Sequence, residues 1–190
     1  MSTRKDKFNQ RDRFFMNLAF NLARDRSGLT GENPSVGCVI VKNDEVISLG
    51  QTGINGRPHA EYNAIKSCKY NLKDAKMYVS LEPCTHYGKT PPCSNLIIKS
   101  KIKEVIFSIT DIDKRTQSKS FKVFKEKNIK VKSGLLKNEA NKIYKSYIYN
   151  KNKKLPFVTG KLAVSKDNFI FSKNKKRITN HHSDNITQLL

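Results

Sequence analysis

Two stretches of this sequence bring together residue types that could do chemistry. His59-Ala60-Glu61 offers an imidazole and, two positions on, a carboxylate. Pro83-Cys84-Thr85-His86-Tyr87-Gly88-Lys89-Thr90-Pro91-Pro92-Cys93 offers two thiols with eight residues between them. His59, Cys84 and Cys93 fill three corners of a tetrahedral zinc site and leave the fourth for water, which separates a catalytic from a structural zinc. Glu61 is then a carboxylate that does not ligate and can move protons. One imidazole, two thiolates and such a Glu are the parts that hydrolytic deamination on zinc requires.

Each part has a plainer reading. A His-Ala-Glu triplet alone is ordinary helix, and a pair of cysteines alone suits a structural zinc. That closed site needs a fourth protein ligand, which His86 could supply, but it leaves Glu61 without a purpose. Taken together, the residues favour an open site. Zinc requires deprotonated thiols, and Cys93, just after Pro91-Pro92, stands at a helix start, where unpaired N–H groups lower a thiol's pKa. His59 at the first turn of another helix allows Glu61, two residues later, to border the same cavity. Glu61 is expected to take a proton from water, deliver it to a ring nitrogen and help the amine depart as ammonia.

The elements that must hold these residues follow from periodicity. Residues 11–27 carry Phe14, Phe15, Leu18, Ala19, Leu22 and Ala23 at helical spacing, closed by Gly28 and Gly31. Short strands are predicted at 36–41 and 46–49, joined by the turn Lys42-Asn43-Asp44-Glu45. His59 opens a helix through Cys68, a buried strand at 77–81 delivers Glu82-Pro83-Cys84, and the two prolines open the helix of Cys93. A strand at 104–109, a helix at 119–127, a strand at 129–132 and a helix at 138–149 complete an α/β pattern. Alternation of this kind predicts a sheet covered on both faces. Residues 151–155 read as a polar linker, and 156–164 as one further strand in a tail of about 35 residues, too short for a core of its own.

Composition bounds the rest. With 37% apolar residues the chain can fill one core, and no stretch approaches the ~20 apolar residues of a membrane span. The N-terminal residues show no apolar run ahead of a cleavage site, so a cytoplasmic protein is expected. Cys38, in an apolar run, and Cys68, in a helical pattern, read as small buried hydrophobes. The formal charge of +21 points toward nucleic acid, but the cations are spread along the chain, and 29 are Lys against 8 Arg. A base-reading surface more often interleaves Arg forks with aromatics, so nucleic acid is disfavoured as a partner.

These motifs resemble the deaminase domain of the bifunctional riboflavin-biosynthesis deaminase/reductase family, the RibD proteins. The resemblance covers about residues 10–150 and rests on Asn33-Pro34-Ser35-Val36-Gly37-Cys38-Val39-Ile40-Val41, Gly56-Arg57-Pro58-His59-Ala60-Glu61 and the run from Tyr78 to Cys93. The discriminating detail is the eight-residue gap ending in Thr-Pro-Pro-Cys, where the general cytidine and tRNA deaminase signature leaves two residues. The resemblance implies a three-layer α-β-α, cytidine deaminase-like domain with a central mixed sheet. It also implies Zn²⁺ on His59, Cys84 and Cys93, Glu61 as proton shuttle, and a homo-oligomer. The implied substrate is 2,5-diamino-6-ribosylamino-4(3H)-pyrimidinone 5′-phosphate, with Asn33 and His86 on the pyrimidine, Lys89 on the phosphate and Asp111 also among its contacts. On the bland reading, Lys89 is a loop-tip charge and Asn33 a turn residue before Pro34.

Departures are confined to a few positions. Gly50-Gln51-Thr52 stands where the family has Gly-x-His, and Asp111-Ile112-Asp113-Lys114 where it has Asp-Pro-Asn-Pro. Asp113 is thus expected to add a carboxylate that repels a substrate phosphate. Residues 156–190 resemble only the opening of the family's reductase domain, through Ser165-Lys166-Asp167-Asn168 and Arg177-Ile178-Thr179, so deamination without reduction is expected. Two rival readings remain: a nucleic-acid or nucleoside deaminase that exploits the charge, and a non-catalytic zinc-binding remnant.

Overall fold

A computed structural model describes residues 7–170 and His181. Helix α1 (Gln10–Asp25) starts in a reciprocal cap: Asp12 N–H donates to Asn9 Oδ1 at 2.8 Å and Asn9 N–H to Asp12 Oδ2 at 2.9 Å, satisfying two otherwise orphaned donors. Strands β1 (Gly37–Lys42) and β2 (Glu45–Gln51) form the expected hairpin. Its turn residues Asn43 and Asp44 both take positive φ, the backbone that a tight hairpin requires and that these two residue types tolerate. After a short 3₁₀ turn (Ile54–Gly56) come α2 (Ala60–Ser67), β3 (Lys76–Leu81), α3 (Cys93–Lys99) and β4 (Glu104–Ile109). Then follow α4 (Lys119–Lys125), β5 (Lys130–Ser133), α5 (Lys137–Ile143) and α6 (Lys145–Lys153).

The strands lie in the order β2-β1-β3-β4-β5, with β1 antiparallel to β2 and β3, and β3, β4 and β5 parallel. This is the mixed sheet that the strand–helix alternation predicts. Helices α1 and α5 cover one face, while α2, α3 and α4 cover the other. β4 is buried throughout, and β1 and β3 nearly so, as central strands covered on both faces must be. Their side chains Val39, Ile40, Met77, Val79, Val105, Ile106 and Phe107 form the core with Phe15, Met16, Phe20 and Ile97.

Several details differ from the sequence reading. The helix expected at 138–149 is two helices, because Tyr144 leaves helical geometry (φ −92°, ψ 10°) where its hydroxyl turns inward to Ser80 at 2.6 Å. α6 runs through Lys153, so the first three residues of the expected linker are helical. No strand forms at 156–164: Val158 is 83% and Leu162 70% exposed, with no neighbouring strand for their backbone among the described residues. An isolated apolar run without such a partner does not become a strand. Cys38 is buried as expected, but Cys68 sits part-exposed at the end of α2. Arg177-Ile178-Thr179 lies outside the described residues.

Candidate active site at the carboxyl end of the sheet

The parallel strands β3 and β4 both point their carboxyl ends at one crevice, the usual place for a ligand in an open α/β sheet. β3 runs straight into Glu82-Pro83-Cys84, and β4 into Asp111. α2 approaches the same end because β2 lets it come close. A Cβ on Gly50 would lie 2.2 Å from the Ala60 carbonyl and 2.8 Å from the Ala64 side chain, so only glycine permits this packing. His59 is the residue before α2, in extended backbone, and its side chain makes no capping bond. The imidazole is therefore available to the crevice.

Nδ1 of His59 lies 3.5 Å from Cys84 Sγ and 3.4 Å from Cys93 Sγ, and the three donor atoms fall within 4.8 Å of one another. A tetrahedral centre with ~2.0–2.1 Å to nitrogen and ~2.3 Å to sulfur places such neighbours ~3.6 Å apart. The donor set and its spacing fit zinc. Protonation agrees. Cys84 is pulled down to about 4, first by its hydrogen bond with the Cys93 thiol and next by its bond with His59, against the opposing effect of burial. The same contact with Cys84, together with burial, pushes Cys93 well up. Zinc binds cysteines as thiolates, so a zinc ion held here would release the proton that Cys93 keeps.

Glu61 is 4% exposed and borders the same cavity as His59 and Cys84. Burial pushes its pKa up to about 7, aided by the negative Cys84 and opposed by His59. A carboxyl so poised suits a group that accepts and returns a proton near neutral pH. His86, the conceivable fourth ligand, is not in the donor cluster; its Nδ1 bonds Thr116 Oγ1 at 2.9 Å. Among the described residues the cluster therefore has three protein donors, as an open zinc site requires.

The cavity, about 400 Å³, extends from this corner past Asn33, His86, Lys89 and Asp111, so every expected site residue except Cys93 lines it. Asn33 is seated by Gly56, where φ is +83° and a Cβ would meet Asn33 Nδ2 at 2.2 Å. Asp111 is buried, and its Oδ1 accepts from Asp113 N–H at 3.0 Å and from the Tyr147 hydroxyl at 2.8 Å. Burial raises its pKa, with those two bonds opposing. Thr52, at the position of the family's histidine, also borders the cavity, but its hydroxyl accepts from Val36 N–H at 2.9 Å and so fastens the start of β1.

For Asp113 the structure adds partners that the sequence did not show. Its carboxylate is not a bare negative charge: Arg115 grips both of its oxygens, with Nε–Oδ1 at 2.9 Å and Nη2–Oδ2 at 2.6 Å, and Lys151 lies 4.0 Å away. The arginine, chiefly through these hydrogen bonds, holds the Asp113 pKa well below the usual carboxylate range. Sequence reasoning also passed over Arg57, Arg115, Tyr147 and Lys151 on the cavity wall. One signal was present: arginine is scarce here, yet one precedes the His59 motif and another follows Asp111.

A sheet-end crevice holding three zinc-type donors beside a buried carboxylate defines a site of the zinc-dependent deaminase class. The model of the cytidine and deoxycytidylate deaminase zinc-binding region matches residues 9–109. The chain belongs to that family and, within it, to the diaminohydroxyphosphoribosylamino-pyrimidine deaminases of RibD type. The Buchnera aphidicola deaminase of that name is 39% identical over 146 residues, covering 77% of this chain and 99% of its relative. The riboflavin biosynthesis protein RibD of Bacillus amyloliquefaciens is 41% identical over 156 residues, 82% of this chain but only 42% of that protein. The crystal structure of the Thermotoga maritima deaminase/reductase superposes with a TM-score of 0.84 at 34% identity, covering 94% of this chain and 52% of that one. The chain thus spans about half or less of the bifunctional relatives it matches. No described helix is long and apolar enough to cross a membrane.

Proposed function

We propose that this chain catalyses hydrolytic deamination of 2,5-diamino-6-ribosylamino-4(3H)-pyrimidinone 5′-phosphate to 5-amino-6-ribosylaminouracil 5′-phosphate, with His59, Cys84 and Cys93 holding zinc. The observation that carries the reading is His59 Nδ1 set 3.4–3.5 Å from both thiols, with buried Glu61 on the wall of the same cavity. Family membership supports the reaction class, and the likeness to the Buchnera enzyme supports the substrate. Zinc, when bound, supplies an acidified water as nucleophile at neutral pH.

The chain's own residues do the rest. Glu61 removes a proton from the attacking water and returns it to the ring nitrogen next to the reacting carbon. A second transfer through the same carboxylate lets the exocyclic amine leave as ammonia, so water adds and ammonia departs with no net redox change. Asn33 and His86 line the wall on which the pyrimidine edge would rest, and Thr116 fixes the ring of His86. Lys89 brings a mobile positive charge to the outer part of the cavity, suited to a phosphate. Asp111, already accepting from Tyr147 and Asp113, serves as a fixed acceptor for a sugar hydroxyl.

Incubating zinc-loaded protein with the diaminopyrimidine ribotide and following ammonia tests the reading, with Glu61→Gln as control. Release by wild type, and its loss in a variant that still binds zinc, is the expected result. No release under any metal loading would sink the proposal. We also place the protein in a homo-oligomer, supported by the exposed apolar side chains of Val158, Leu162, Phe169 and Ile170; a monomeric mass by light scattering across micromolar concentrations would remove it.

A further inference from the structure

The outer part of the cavity carries four cations, Arg57 and Lys89 from one side and Arg115 and Lys151 from the other. Lysine predominates in this chain, but the best-fixed cation of the rim is an arginine. Arg115 Nε and Nη2 bond the two oxygens of Asp113, and Asp113 Oδ1 also accepts from the Arg115 backbone N–H at 3.0 Å. The loop beneath is fastened in turn. Asp113 N–H donates to Asp111, and the buried Glu82 carboxylate accepts from the backbone of Asp111, Ser118 and Ser120 and from the Ser120 hydroxyl at 2.6–3.1 Å.

As a stability device the Arg115–Asp113 pair is weak, since the arginine side chain is 62% exposed and exposed pairs contribute little. Its geometry serves another purpose. A guanidinium has five N–H donors in a rigid fork. Asp113 engages Nε and Nη2, which leaves Nη1 and the second Nη2 hydrogen for another oxyanion. Holding the fork in place beforehand spares the entropy of ordering it when a ligand arrives, and planar forks suit phosphate oxygens. Of the carboxylates on the cavity wall, Asp111 and Asp113 are already engaged by donors and Glu82 is saturated, while Glu61 lies at the zinc corner and Glu32 on the loop after α1.

We infer that Arg115 is a specificity-determining residue that selects a 5′-phosphorylated pyrimidine ribotide over the bare riboside, with Asp113 as its positioning residue and Lys151 as a supporting charge. This rests on the deaminase reading above. Asp113 thereby changes role, from a charge that repels phosphate to the anchor of the group that binds it.

Two measurements decide it. In steady-state deamination of the ribotide and of its dephosphorylated riboside, Arg115→Ala raises KM for the ribotide about tenfold, as loss of a charge-assisted bond should, with kcat and the riboside's kinetics unchanged. Arg115→Lys restores part of that loss, and Asp113→Asn raises the ribotide KM by a smaller factor. Equal effects on both substrates, no effect on either, or a lower ribotide KM in Asp113→Asn overturns the inference. NMR titration with ribose 5-phosphate needs no turnover: wild type binds, and Arg115→Ala binds about tenfold more weakly. Equal binding by the two proteins overturns the role of Arg115 even where ammonia is released. Absence of ammonia from wild type counts instead against the reaction.

Discussion

At the inner end of the cavity, His59, Glu61 and Cys84 meet at the mouth of a helix and the end of a strand, with Cys93 beside them at the start of α3. Cys93 and Glu61 are almost sealed from solvent. At the outer end, Arg57, Lys89, Arg115 and Lys151 come from loops and a helix surface, and the side chain of Arg115 is mostly in water. Low solvent access governs the first region: burial carries Glu61 up to about 7, and the contact between the two thiols pulls Cys84 down while, with burial, it pushes Cys93 up. Solvent screening governs the second, where single charges count for little and their preorganisation counts for more. On the proposed function, the inner end would set which bond breaks, and the outer end which molecule is held while it does.

The contrast breaks most easily at the metal. His59→Ala removes one of three ligands and should cost more than the ~10–100-fold in zinc affinity that follows loss of an outer-sphere partner, abolishing ammonia release with it. Full zinc retention by metal analysis, with activity intact, would end the case for this donor set. Glu61→Gln comes next. Here zinc stays bound and kcat falls on the order of 10²–10⁴-fold, the contribution of a positioned proton shuttle. If instead metal is lost together with activity, Glu61 belongs to the ligand sphere and the inner end has been misdescribed.

Glu82→Gln sits between the two regions and sharpens the division. The carboxylate accepts four hydrogen bonds, two at each oxygen, from Asp111 and Ser118 of the loop that carries Arg115 and from Ser120 in the first turn of α4. An amide has only one acceptor oxygen and turns its NH₂ toward donors, so about 1–3 kcal/mol of stability should be lost. The expected outcome is a lower midpoint in denaturant and a raised ribotide KM, with zinc content unchanged. An unaltered midpoint would mean that the loop is held by other contacts.

The inner end was legible in the sequence because its residues sit in two short motifs whose spacing is dictated by coordination. The sheet was legible too, since the runs at Gly37–Lys42, Lys76–Leu81 and Glu104–Ile109 are continuous apolar segments that only a doubly covered sheet accommodates. The outer end was not. Arg57, Arg115, Tyr147 and Lys151 are brought together by chain path, which no local pattern encodes. The surroundings of Asp113 were equally hidden, because a carboxylate's sign is visible in sequence while its partner is not; here the partner stands two residues away, and only the loop's turn brings the guanidinium back onto it. The tail failed for a related reason: 156–164 has strand-like composition, but a strand also needs a neighbour.

The smallest effect belongs to Tyr147→Phe, and its sign with pH is fixed by Asp111. The Tyr147 hydroxyl, itself raised by burial and so kept protonated, donates to Asp111 and opposes the rise that burial imposes on that carboxyl. Removing it drives the folded-state pKa of Asp111 further up. A carboxyl that is harder to ionise when folded than when unfolded makes the folded state bind more protons, so stability falls as pH rises from the ordinary carboxylate value through the folded one. The variant should therefore trail wild type by about 0.5–1.5 kcal/mol at neutral pH, with the gap narrowing as the pH is lowered toward 4. Denaturant melts at pH 7.5 and pH 4.5 check this. A gap of equal size at both values would mean that the hydroxyl stabilises through packing alone and that Asp111 plays no part in it.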